Sequence, residues 1–225
     1  MIIDKRWLRF KLSVFFVLMF AGLSWARGDA NEDKSYKDAL NAFENQNYEE
    51  VIDVLTESIK NYPNEDSYYI LTARAFERLN NKTKAREYYD MAIELDTNDI
   101  WAYVGRSVVS EDFSEQEYWA KEVIAKFPYR STAAVALLHS HYVSQAIQEE
   151  NAGNVENALE LLEKTKKLNN EYLMRLENAP EDIFKEEFFE ILPKELNKQS
   201  FRKSLEEKLK GLSDMEKEWN AKYNK

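Results

Sequence analysis

Between Tyr36 and Tyr223 apolar residues recur at spacings of three and four, the period of an amphipathic helix, and strand-type alternation is almost absent. The helical pattern also repeats itself. At an offset of 34 residues Ala39 meets Ala73, Val51 meets Ala85, Leu55 meets Tyr89, Ser58 meets Ala92 and Pro63 meets Thr97. A fixed period of this size predicts stacked helical hairpins, because a single hairpin cannot bury its apolar face alone. Two such units span 32–65 and 66–99, and a shortened third runs over 100–128, where Pro128 follows Thr97 by 31 residues instead of 34. The missing three residues are expected in the turn Glu111-Asp112-Phe113-Ser114, with Ser114 and Glu117 forming a capping box for the next helix.

A fourth, more divergent hairpin covers 129–180. Its first helix is expected to start near Ser131 and run through Ala133, Ala134, Val135, Leu137 and Leu138, with Gly153-Asn154 as the turn. Beyond Pro180 the period persists but the unit does not. Ile183, Phe184, Phe188, Ile191 and Leu192 predict a short helix over 181–192. Phe201, Leu205, Leu209, Leu212, Met215, Trp219 and Tyr223 make one continuous face over 198–223. Helices placed here would cap the last hairpin, since a stack of repeats needs a polar-faced end. The sharper alternative is that 198–223 binds a partner or a second copy.

Segment 66–99 then shows which kind of repeat this is. It reads Tyr69-x2-Thr72-Ala73-x2-Phe76, then Ala85-x3-Tyr89, Ala92 and Thr97. That resembles the tetratricopeptide repeat, W-x2-L-G-x2-Y, A-x3-F and a closing proline. Thr72 stands in for the leucine and Thr97 for the proline. Segment 32–65 is a looser copy, in which Ala39, Val51, Leu55 and Pro63 fit while Ser35 and Asp38 replace large apolar residues. Tyr103 takes the tryptophan position of the third unit, and Tyr142, Ala146, Ala158 and Leu162 echo the pattern in the fourth. The resemblance implies an all-α solenoid of three to four helical hairpins with C-terminal capping helices. Small Ala73 and Ala85 let the two helices of a hairpin approach, and Tyr69, Phe76 and Tyr89 fill the space between hairpins.

The first residues follow a different pattern. Lys5, Arg6, Arg9 and Lys11 precede an uncharged run from Leu12 to Ala26 that ends Ser24-Trp25-Ala26. A basic stretch, a short apolar run and small residues at the end are the marks of a secretory leader, cleaved after Ala26. The run is 15 residues, short of the roughly 20 that span a bilayer as a helix. An uncleaved N-terminal anchor is the competing reading, and both place the body outside the cytoplasm. The expected organisation is 1–26 leader or anchor, 27–34 linker, 35–128 repeats, 129–180 divergent hairpin and 181–225 C-terminal helices.

Composition narrows the chemistry. The 225 residues carry net charge −10, and the body without its basic leader carries −13. An acidic body with no basic stretch argues against a nucleic-acid footprint. The absence of cysteine removes disulfides, thiolate nucleophiles, cysteine-based zinc sites and a lipidated cysteine, so membrane attachment could come only from residues 1–26. With 5 glycines, none spaced as a dinucleotide fingerprint or a P-loop, nucleotide cradles are excluded too. His139 and His141 lie two apart on a helix, point to different sides and cannot chelate one metal there, so they read as ordinary, partly exposed residues. Asn81-Lys82-Thr83 is a formal glycosylation sequon in an exposed turn and reads as chance. No catalytic, cofactor-binding or metal-binding residue is assigned, and the chain does not read as an enzyme.

The tetratricopeptide resemblance implies a concave groove lined by the first helix of each hairpin, which takes a peptide or a partner helix. Carried onto this sequence, the groove positions are Tyr36, Leu40, Ile70, Arg74, Glu77, Arg78, Trp101, Val104 and Val108. Trp101 and Tyr36 are the candidate anchors, since aromatic side chains dominate interface energies; packing between hairpins is the competing role for Trp101. Repeats that clamp chaperone tails use lysine and asparagine where this chain has Tyr36 and Leu40, so that partner is not expected. The expectation is a periplasmic scaffold or adaptor with a protein or peptide partner and no nucleic acid. An assembly subunit working through 198–223, or a ligand or enzymatic site in 129–225, are the alternatives.

Overall fold

The computed structural model describes residues 34–180 and 198–223, and there the chain forms nine α-helices. The expected leader (1–26), most of the linker and the helix expected at 181–192 lie outside the described residues. Two compact units divide the chain between Phe127 and Pro128.

The first unit holds α1 (Lys34–Glu44), α2 (Tyr48–Asn61), α3 (Asp66–Arg78), α4 (Lys82–Leu95), α5 (Ile100–Val108) and α6 (Phe113–Lys126). Each odd-numbered helix pairs with the even one after it, α2 packs on α3, α4 packs on α5, and α3 also touches α1 and α5. This is the stacked helical-hairpin arrangement of a tetratricopeptide-type fold. The matched positions behave as the period predicts: Ala39, Ala73, Val51, Ala85, Leu55, Tyr89, Ser58 and Ala92 are all buried, whereas Pro63 and Thr97 lie exposed between hairpins. Tyr69 also serves the turn, donating its hydroxyl to the Pro63 carbonyl at 2.8 Å.

The hairpin turns repeat as well. Gln46 and Asn80, again 34 apart, have left-handed φ of 64° and 58°. The next residue of each returns its N–H to a carbonyl five residues back, Asn47 to Ala42 at 2.9 Å and Asn81 to Phe76 at 2.8 Å. This is the Schellman closure of a helix end. Gly153 (φ 85°) and the Asn154 N–H bonded to Glu149 at 2.9 Å repeat it in the fourth hairpin. The third hairpin departs from the rule. Helices α3 and α5 begin 34 residues apart, but α5 has 9 residues where α3 has 13. The missing residues are therefore taken from the end of a helix, and the expectation of a shortened turn is corrected. The cap is corrected too. Asp112 caps α6, accepting from Glu115 N–H at 2.9 Å, while the Glu115 carboxylate accepts from Glu111 N–H at 2.7 Å. Aspartate caps a helix as well as serine does, and starting at Asp112 brings Phe113 into the helix.

The second unit pairs α7 (Thr132–Asn151) with α8 (Val155–Glu177), and α9 (Lys198–Tyr223) lies along them. Ser131 is the N-cap of α7, as the sequence pattern places it. Arg202 with Glu177 and Lys166 with Glu216 make α9 antiparallel to α8; Lys222 with Glu150 extends the docking to α7. Leu205, Leu212 and Trp219, seven residues apart, are buried, the last two in a cluster with Ala146, Ala158 and Leu162. Most of the apolar face of α9 is thus spent within its own unit, in the capping role.

Candidate functional site

The face formed by α1, α3 and α5 sets residues 34 positions apart beside one another, giving the rows Tyr36–Ile70–Val104 and Leu40–Arg74–Val108. The structure separates these positions by depth. Tyr36 is 1% exposed, and its ring centroid lies 5.7 Å from that of Tyr68. Ile70 is buried as well. These two form the floor beneath the face. Leu40, Arg74, Glu77, Trp101, Val104 and Val108 are half-buried, with Leu40 and Trp101 packed on the edge of the core, and Arg78 is exposed. Of the two candidate anchors, Trp101 therefore keeps surface to offer and Tyr36 acts through packing.

The charged groups of this face are held in place. The Arg74 guanidinium lies 5.2 Å from the centroid of the Phe43 ring, a cation–π geometry. Glu77 accepts the hydroxyl hydrogen of buried Tyr89 at 3.1 Å. Burial, and then the Glu77 charge, push the Tyr89 phenol far above its ordinary range. Burial likewise raises the Tyr36 phenol, with Arg74 opposing and Asp99, Asp66 and Glu65 adding to the rise. At the N-terminal ends of α3 and α5, burial followed by the charges of Asp99, Asp96 and Glu65 lifts the Asp66 carboxyl to about 6. The charge of the face is therefore polarised along the helix axes. Carboxylates gather at the helix starts, where the helix dipole favours them, and Arg74 and Arg78 stand toward the helix ends.

The sequence reading overlooked that acidic rim, although Asp66 lies one position before the place equivalent to Trp101 and the equivalent Asp99–Ile100 start of α5 repeats the charge. It also misplaced His139, which is buried instead of partly exposed. Asn169, whose pairing with that ring gave no signal in the sequence, faces it from α8 at 2.8 Å. Among the described residues no group of three or more His, Asp or Glu side chains is placed to hold a metal ion. Chemically the face offers half-buried apolar surface at Trp101, Val104 and Val108 and charged groups at its two ends.

No family model matches the chain, and no curated protein matches it. Among solved structures it is similar to one titled "Crystal structure of MamA", with 15% identity and a TM-score of 0.43 over 85% of this chain and 98% of that one. A second, "Crystal structure of MamA protein", gives 14% identity and a TM-score of 0.46 over 88% and 97%. Likeness of that degree carries no argument. The helical-hairpin fold rests on the chain's own elements and their packing.

Proposed function

We propose that the chain is a non-enzymatic, extracytoplasmic scaffold of the bacterial periplasm that binds a peptide or helix of a partner protein on the α1–α3–α5 face. The carrying observation is the continuous strip of half-buried Leu40, Arg74, Trp101, Val104 and Val108 laid over a sealed floor of Tyr36 and Ile70. A rigid floor with partly exposed apolar side chains presents area without the entropy cost of ordering a loop. The basic, apolar run of residues 1–26 supports placement outside the cytoplasm, and no described helix is long and apolar enough to cross a membrane. Association through the apolar row of α9 is the weaker reading, because Leu205, Leu212 and Trp219 are already covered.

Crosslinking in cells followed by identification of the bound protein tests this directly, using the wild-type chain beside Trp101→Ala and Arg74→Glu. Circular dichroism establishes that each variant is folded. Loss of the crosslinked partner in both variants supports the face. An identical set of partners in all three chains refutes it.

A further inference from the structure

We propose that the buried His139–Asn169 pair is an acid-sensitive latch that holds α9 on the α7–α8 hairpin. The geometry fixes the ring's charge. His139 is 5% exposed, and its Nδ1 accepts a hydrogen from the Asn169 amide at 2.8 Å. Asn169 is 0% exposed and gives its other amide hydrogen to the Thr165 carbonyl at 2.7 Å. That second bond fixes the orientation of the amide, because a flip would set its oxygen against the Thr165 carbonyl. Nδ1 must therefore keep its lone pair, and the ring is neutral with its proton on Nε2. A proton added at Nδ1 would point N–H at N–H in a dry interior.

The surroundings add to the penalty. From α8 the ring meets Asn169, whose amide also binds the Thr165 carbonyl, and Tyr172 lies one turn on with its hydroxyl engaged with Thr132. α9 runs parallel to α7, with Leu212 in the cluster of Ala146 and Lys222 on Glu150, and that register carries Lys208, one turn before buried Leu212, toward the level of the ring; burial holds that amine below its ordinary range. His141, on the same helix, points to another side. The charge of Lys208 acts on the ring. Charging His139 would set two cations across the α9 contact.

Burial, and then Lys208, hold the ring's pKa down to about 3 against an ordinary 6.5. The unfolded ring accordingly takes a proton near 6.5 and the folded ring does not until about 3. The stabilisation is complete above 6.5 and is lost as pH falls from there toward 3, at about tenfold in the folding equilibrium per pH unit. The carboxylate of the α7–α9 tie, Glu150, is held below its ordinary range by Lys222 and Tyr223, so it stays charged through the upper part of this window.

The test uses the full chain at pH 7 and pH 5. Wild type should lose about 30-fold in the folding equilibrium of residues 128–225, and His139→Gln, which keeps an acceptor for Asn169 but cannot titrate, should lose none of that share. Amides of α9, corrected for intrinsic exchange, should open about 30-fold more often at pH 5, while the His139 ring resonance shows no titration near 6.5. Equal acid sensitivity in both chains overturns the proposal. So does a His139 ring that titrates near 6.5, or α9 protection unchanged at pH 5. If His139→Gln does not fold, the ring titration and the α9 exchange of the wild type decide alone.

Discussion

Replacing Gly105 with alanine should destabilise the first unit, although alanine is the better helix former. Gly105 lies inside α5, facing the fully buried Tyr89 of α4. A Cβ at this position would stand 2.1 Å from Tyr89 Cζ, 2.2 Å from Cε1 and 2.6 Å from Oη. Carbon atoms pack at about 3.5–4.0 Å, so ring and helix must separate by roughly 1.4 Å or more. The ring cannot swing away, because Ala73, Ala85 and Ala92 around it are fully buried and its hydroxyl is tied to Glu77. Overpacking of this kind costs about 1–3 kcal/mol, and a displacement this large belongs at the upper end. Against it stands about 1 kcal/mol gained from helix propensity. The net expectation is about 2 kcal/mol of destabilisation, or roughly 10 °C in melting temperature for a unit of this size. Gly211→Ala in α9 supplies the control, since a Cβ there meets nothing within 4 Å and should stabilise by about 0.5–1 kcal/mol. Urea unfolding followed by circular dichroism, with Trp101 and Trp119 as probes of the first unit, reads both. Shrinking the ring in a Gly105→Ala/Tyr89→Leu double variant should cost at least about 1 kcal/mol less than the two singles summed. A neutral or stabilising Gly105→Ala would refute the close contact between α4 and α5.

Arg106→Met should cost about 2 kcal/mol, because buried Arg106 ties Asp90 at 2.7 Å and Glu115 at 2.6 Å and lies 5.0 Å over the Trp119 ring. That is less than for a wholly buried pair, since Asp90 is half-exposed; urea titration reads the loss, which should change little between low and high salt. Asp66→Asn should stabilise the first unit by about 1 kcal/mol at pH 7, a figure reduced because Asp66 is only half-buried. An acid whose folded pKa is raised from 3.8 to about 6 carries its penalty at full size above 6 and sheds it as pH falls toward 3.8, so the advantage of the variant should disappear by about pH 4 in paired melts.

The repeat was legible because it is written in residues that must be small or large wherever the helices cross. Ala73, Ala85 and Ala92 have no alternative at zero exposure, and their spacing survived even where Thr72 replaced the expected leucine. The start of α7 near Ser131 was legible. At Asp112 and Ser114 two capping residues competed, and the choice depended on Glu115 reaching back to Glu111, a contact that local sequence does not display. The shortened third hairpin was visible as a count, but not where the residues were lost. Arg106 in the same hairpin stands where the repeat expects leucine and is made tolerable by Asp90 and Glu115, carboxylates from two other helices. The site was legible as a set of positions and not as depths. Tyr36 and Trp101 look alike in the pattern, yet the neighbour Tyr68, itself off the motif, closes over one of them. His139 was misjudged for a similar reason, since its partner Asn169 lies 30 residues away on another helix.

The contact between Gly105 and Tyr89 also bears on how this chain can be lengthened or rearranged. The positions equivalent to Tyr89 and Gly105 one period earlier are Leu55 and Leu71, both buried. One junction is thus filled by two residues of middling size and the next by a large one against none. The two pairs are not interchangeable. A copy of 66–99 inserted after itself would bring a tyrosine against a leucine at the new junction and would not close. The hairpins therefore carry their order in these paired sizes, and growth of the array by simple duplication would need a second substitution at each seam.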